Sequence, residues 1–242
     1  MAKVLKHLLK RLESRVLIVL IAAAGALWGF FNIASEVGEG ETKALDTRLL
    51  LMLRNAAEPS DPVGSQALQE SMRDVTALGG VTVITLVTTV ALLLFLMHRK
   101  LWHAGIFALA VTLAFVSSEG LKDVYDRPRP ELAPHGSYVY GSSFPSGHST
   151  LSAAVYLTLA VLISSLEANR GTKRMVFALA GVLVAGIGFS RVYLAVHWPS
   201  DVLAGWCLGG AWALIAWVAL LRFGGRDQIA EPEPAAEASH PQ

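Results

Sequence analysis

Six long apolar stretches separated by short polar segments organise this chain, at approximately residues 16–35, 77–97, 101–121, 147–166, 175–195 and 200–221. A bilayer hydrocarbon core of about 30 Å takes about 20 helical residues. The first two stretches, and the sixth beyond Asp201, run for essentially that length without Asp, Glu, Lys or Arg. Only helices or closed barrels cross lipid, and continuous apolar runs, as opposed to alternating ones, exclude barrel strands. The pattern predicts an all-α polytopic membrane protein with six transmembrane helices. Small residues recur in the later stretches, at Gly181, Ala185, Gly186 and Gly188 and at Ala204, Gly205, Gly209 and Gly210, where they let membrane helices approach closely. The first stretch follows a basic start, as a signal peptide does, but its apolar core is longer than a signal core. It is expected to remain as the first helix.

The segments between the stretches add less. Residues 42–56, around Leu45, Leu49, Leu50, Met52 and Leu53, are amphipathic enough for a helix lying on the membrane surface, either guiding a lipid or packing over the helix ends. Residues 57–64 read as a loop. The chain divides into a membrane domain over 1–222 and a Pro-, Ala- and Glu-rich tail over 223–242, expected to be disordered and cytoplasmic. No internal repeat is visible.

Composition agrees with a bilayer protein. The chain is 53% hydrophobic and 16% charged, whereas soluble domains carry about a quarter charged residues, and its mean hydropathy is +0.49. A net charge of +1 argues against nucleic acid as a partner. The single cysteine, Cys207, excludes an intrachain disulfide and a cysteine metal cluster and reads as a packing residue. Loop charges orient the chain. With the N-terminus inside, twelve of the 20 Lys and Arg fall on inside segments and eight outside, so both termini are expected in the cytoplasm.

Three polar motifs sit at the ends of these stretches. The first is Lys122, six residues, then Arg129-Pro130; the second is Pro145-Ser146-Gly147-His148; the third is Ser190-Arg191, five residues, His197, three residues, Asp201. Motif one follows the third stretch, motif two opens the fourth, and motif three joins the fifth to the sixth. An alternating path therefore puts all three at one membrane face, the periplasmic or extracellular one. A transporter more often places ionisable residues near the bilayer midplane.

The residue types suit phosphate. Pro145 to His148 read as a helix start, with Pro in the first turn, free N–H groups that favour an anion, a glycine permitting close approach and the Ser146 hydroxyl as a donor. Lys122 and Arg129 flank a Pro-interrupted turn and offer a point charge and a planar donor fork. Arg127 reads as an interfacial side chain, and Glu119 lies one turn before Lys122. Asp201, four residues after His197, is placed either to accept the imidazole N–H, fixing the tautomer, or to cap a helix N-terminus. His7, His98, His103, His135 and His240 lack such partners and read as interfacial or solvated.

In order, spacing and membrane context, the three motifs resemble those of the type-2 phosphatidic acid phosphatase family, related to vanadium haloperoxidases and bacterial acid phosphatases. They cover about 80 residues, Lys122 to Asp201. The resemblance implies a membrane lipid phosphatase acting on a lipid phosphomonoester or diphosphate: phosphatidic acid, phosphatidylglycerol phosphate or polyprenyl diphosphate. It implies His197 as nucleophile forming a phosphohistidine and Asp201 as its support. His148 would be acid toward the leaving alkoxide and then base toward water. Lys122, Arg129, Ser146, Gly147 and Arg191 would bind phosphate. No metal and no cofactor are expected. The alternatives are a lipid phosphotransferase using the same phosphohistidine and, from another class, a non-catalytic lipid transporter. The residues do not choose among the substrates.

Overall fold

The computed structural model describes residues 2–131 and 141–223, with side chains from residue 13 onward. His7, His135, His240 and the tail beyond Phe223 lie outside the side chains so described. Among the described residues the chain forms helices α1 (Ala2–Glu39), α2 (Lys43–Leu51), α3 (Gln66–Ala77), α4 (Val81–Met97), α5 (Leu101–Tyr125), α6 (Gly147–Leu166), α7 (Arg170–Tyr193) and α8 (Pro199–Phe223). The all-α expectation holds.

Five of these helices are long and apolar enough to cross a membrane: α1 from Glu13, α5, α6, α7 and α8. The sixth is less regular than the hydrophobic run 77–97 suggests. Gly79 and Gly80 divide that region, and α4 alone has 17 residues, a rise of about 26 Å. It reaches spanning length only together with α3, from which it bends by 44°. The reason for the break is local. An added Cβ at Gly79 would lie 2.5 Å from Ile187 Cγ2, and one at Gly80 3.1 Å from the Ala77 carbonyl. Glycine lets the chain turn there while touching α7.

α8 is the axis of the bundle. Its small residues meet α6 backbone to backbone: an added Cβ at Gly205 would lie 2.8 Å from the Ser146 carbonyl oxygen, and one at Gly209 2.2 Å from that of Thr150. Without side chains between them the two helices approach more closely than larger residues would allow. α6 begins a π-helical turn, Ala153–Leu157, at this contact. An apolar core of Phe107, Ala110, Ala114, Val155, Leu162 and Leu220 joins α5, α6 and α8. Phe30 and Ala34 of α1 pack with Phe144, Ala204 and Leu208. The faces turned outward carry large apolar side chains, such as Ile18, Trp28, Leu94, Val116 and Val182, as a lipid solvent permits.

Short elements close one end of the bundle. α2 forms within the amphipathic 42–56 segment, burying Asp46 and Leu50, while Leu45 and Met52 stay exposed. Arg54 donates to the Tyr193 carbonyl and the Tyr193 hydroxyl to the Val63 carbonyl, which pins the expected 57–64 loop onto the end of α7. At the opposite end His103 is buried, not solvated: its Nε2 lies 3.1 Å from the Ser165 hydroxyl and its ring packs beside Phe95.

Candidate active site

α5, α6, α7 and α8 each bring part of one motif to the end of the bundle closed by α2. α5 stops because Asp126 takes the left-handed conformation, with φ 38°, a geometry Asp tolerates better than most residues. The chain then runs extended through Arg127-Pro128-Arg129-Pro130. α6 opens at Gly147, capped by Ser146, whose fully buried hydroxyl accepts the Ser149 N–H at 3.4 Å and the Ser149 O–H at 3.1 Å. Ser146 thus caps α6, and its own O–H remains to donate. The Ser146 N–H donates to the Asp201 carbonyl at 3.0 Å, tying the second motif to the third.

His197 is the centre of the arrangement. It is almost completely buried, 2% exposed, in the turn between α7 and α8, after Ala195 with φ 53°. Its Nδ1 lies 2.9 Å from the Ser143 carbonyl oxygen, and its Nε2 lies 3.1 Å from Arg129 Nη1. A carbonyl only accepts and a guanidinium only donates. Nδ1 therefore carries the proton, and Nε2 presents its lone pair toward Arg129. Burial, first, and then the cationic surroundings of Arg191, Arg129, His148 and Lys122 hold the imidazole well below its usual value of 6.5. A neutral imidazole with a fixed lone pair is a nucleophile or a base.

Arg129 is the cation that touches that nitrogen. Arg129 also donates to the carbonyls of Gly141, Val196 and Ser142 at 3.0–3.2 Å. Burial depresses its own ionisation, and Asp201 offsets part of that. The Arg191 side chain is buried. Its Nη1 donates to Thr76 Oγ1 at 3.1 Å, and its Nε has no hydrogen-bond partner among the described residues. Lys122 Nζ pairs with Glu119 at 2.6 Å and lies 3.3 Å from where a Gly147 Cβ would be. Glycine at 147 is what admits the ammonium to the start of α6. His148, half-buried one residue later, has Gly79 close beside its ring.

Asp201 departs from the expected arrangement. It is fully buried, and its Oδ2 is 3.4 Å from His197 Nδ1, too far to be that proton's main acceptor. Its oxygens are engaged elsewhere: Oδ1 by Arg127 Nη1 at 2.5 Å and Oδ2 by the Trp198 N–H at 2.9 Å. The orienting acceptor for His197 is the Ser143 carbonyl. Arg127 is likewise no interfacial side chain, since its guanidinium is nearly buried between Asp201 and Asp46. The two arginines stand in one turn, and the motif marks Arg129 without indicating what Arg127 binds. Asp46 sits in a helix 81 residues upstream of Arg127. No three His, Cys, Asp or Glu side chains converge as metal ligands do among the described residues.

A family model described as the PAP2 superfamily matches residues 103–224, the stretch holding all three motifs. Phosphatidylglycerophosphatase B of Bacillus subtilis is 35% identical over 167 residues, which is 64% of this chain and 80% of that one. Undecaprenyl-diphosphatase of Sulfolobus acidocaldarius is 31% identical over 139 residues, 55% of this chain and 59% of the other. Among solved structures, the transmembrane PAP2-type phosphatidylglycerolphosphate phosphatase from Bacillus subtilis superimposes with a TM-score of 0.70. It is 26% identical and covers 86% of this chain and 97% of its own.

Proposed function

The chain belongs to the PAP2 superfamily and is an integral-membrane lipid phosphatase; from that premise we propose that it hydrolyses lipid phosphates through a phosphohistidine formed on His197 Nε2. The observation that carries the reading is the fixed tautomer of His197, with Nδ1–H on the Ser143 carbonyl and the Nε2 lone pair facing Arg129.

Lys122, Arg129, Arg191 and the N-terminus of α6 bind the phosphate oxygens. The Arg129 guanidinium exchanges its bond to Nε2 for bonds to phosphate, which frees the lone pair as substrate arrives. In the first step the Nε2–P bond forms and the bond from phosphorus to the lipid oxygen breaks. His148 donates its proton to the departing alkoxide. In the second step water attacks phosphorus, its proton passes to His148, the N–P bond breaks and inorganic phosphate leaves. Phosphoryl transfer asks mainly for positioning and charge stabilisation, and three fixed cations supply the charge, so turnover needs no metal.

The relatives' names span a glycerophospholipid monoester and a polyprenyl diphosphate, and both chemistries fit a site that holds only the phosphate. The site faces the periplasm or exterior, with both termini cytoplasmic. The Lys and Arg distribution supports that orientation, together with the clustering of the motifs at the end of the bundle where α1 finishes and α8 begins. The test is a panel of phosphatidic acid, phosphatidylglycerol phosphate and a polyprenyl diphosphate, assayed for phosphate release by purified protein with EDTA present, with and without vanadate. Vanadate adopts the five-coordinate geometry of the transferring group and binds more tightly than phosphate. Release that resists EDTA and is inhibited by vanadate is expected. Loss in EDTA restored by Mg²⁺ would show a metal site, and no release from any member would refute the phosphatase reading.

A further inference from the structure

Arg127 stands two residues before Arg129, and the motif spacing gives it no part in phosphate binding. Its guanidinium nevertheless has four defined acceptors. Nη1 donates to Asp201 Oδ1 at 2.5 Å and to Ser200 Oγ at 2.8 Å; Nη2 donates to Asp46 Oδ2 at 2.7 Å and to Thr42 Oγ1 at 3.0 Å. Asp46 closes the ring by accepting the Ser200 N–H at 2.9 Å and the Ser200 O–H at 2.6 Å. The Arg127 backbone is engaged as well. Its N–H donates to Ser142 Oγ at 2.9 Å, and its carbonyl accepts the Ser143 N–H at 2.8 Å. The carbonyl of that same Ser143 takes the His197 Nδ1 proton. The side chain of Arg127 therefore ends on the Asp201 carboxylate, and its backbone holds the N–H of the residue whose carbonyl meets His197 Nδ1.

We propose that Arg127 is a positioning residue for phosphoryl transfer: anchored on Asp46, it balances the charge of the Asp201 carboxylate beside His197, leaves the Nδ1 proton to Ser143 and so keeps the Nε2 lone pair available. The inference rests on His197 being the nucleophile.

The physical reason is competition for a buried charge. Asp201 is sealed from solvent, so its charge must be met by protein groups. Arg127 and the Trp198 N–H meet it now. If Arg127 were neutral, the remaining cation within reach would be a protonated His197, 3.4 Å away, and the proton that made it cationic would occupy Nε2. The groups opposing that protonation are Arg191, Arg129, His148 and Lys122; Asp201 is the carboxylate that faces the ring. Asp46 acts with the opposite sign. As a second carboxylate on the same guanidinium it draws part of the Arg127 charge away from Asp201. Two substitutions on one chain of contacts should therefore move the acid limb of activity in opposite directions, a signature that loss of folding does not produce.

The experiment measures phosphate release from phosphatidic acid micelles by the full-length protein, wild type, Arg127→Gln, Arg127→Lys and Asp46→Asn. Each is checked for a monodisperse profile and a cooperative melt, and kcat and KM are followed across pH. Arg127→Gln is expected to move the acid limb up by about one pH unit and to lower kcat at pH 7 about 10- to 100-fold, with KM changed less than about threefold. Arg127→Lys, which restores the charge but not the fork, should recover part of kcat and of the shift. Asp46→Asn should move the acid limb down. Limbs that stay at the wild-type position, or that move the same way in Arg127→Gln and Asp46→Asn, overturn the proposal. If Arg127→Gln does not fold, Arg127→Lys and Asp46→Asn decide by the same criterion. Absence of phosphate release from the wild type would instead remove the phosphatase reading on which the inference stands.

Discussion

At His197 two partners of opposite hydrogen-bonding capacity set the tautomer, and burial among four cationic or basic groups sets the charge. The folded imidazole titrates well below 6.5, so its neutral, reactive form persists as pH falls through the usual histidine range and is lost only at the lower folded value. The acid limb of kcat/KM, which reports the free enzyme, should therefore lie below pH 6.5 once the substrate's own ionisation has been measured and divided out. A limb at or above 6.5 would contradict the burial argument. Asp201→Asn removes the charge but not the Ser143 acceptor, so its cost is expected to be about 10- to 100-fold in kcat, milder than for a histidine held by carboxylate alone. The three motifs were legible from residue types and spacing because phosphate demands cations, a helix start and imidazoles. The parts of Arg127 and Asp46 were not. A lone buried carboxylate in α2 has no periodic signature, and only the fold brings it 2.7 Å from Arg127.

Apart from α1, which begins at Ala2, well before its apolar stretch, the spanning helices were readable to within a few residues because the hydrocarbon thickness fixes their length. The exception is the 77–97 stretch, whose hydropathy hides the Gly79–Gly80 break and the separate helix α3 before it. A signal for α3 was present in Ser65, which caps it, and in Leu68, Met72 and Val75 at helical spacing. Small residues show a different limit. Gly209 and Gly210 are equivalent in sequence, yet an added Cβ at Gly209 would meet the Thr150 carbonyl at 2.2 Å while at Gly210 nothing lies within 4 Å. Gly209→Ala should push α8 from α6, destabilising the protein by about 1–3 kcal/mol and weakening activity by separating Ser146 from Asp201. Gly210→Ala should be close to neutral. Melting temperatures in detergent and initial rates compare the pair. Equal stability of the two variants would mean that the α6–α8 contact is looser than described.

For the whole molecule, the central feature is that residues 155 positions apart, Asp46 and Asp201, join one network at one end of the bundle. Every span contributes a terminus there. The proposed sidedness follows from which end that is. Single cysteines at Ser60, in the loop beside α2, and at Ala168, between α6 and α7, in a Cys207→Ala background should label oppositely with a membrane-impermeant thiol reagent on intact cells. Ser60 is expected to react and Ala168 to stay protected. The reverse would move the active site to the cytoplasm and leave the chemistry untouched.

The measurement closest to the central claim is acid-free, rapid-quench trapping of purified protein during turnover of lipid labelled in the transferred phosphate. The account predicts protein-bound label with the acid lability of a phosphoramidate, absent from His197→Ala, together with loss of phosphate release by that variant while its melt and monodispersity are retained. Phosphate release by His197→Ala at the wild-type rate would contradict it.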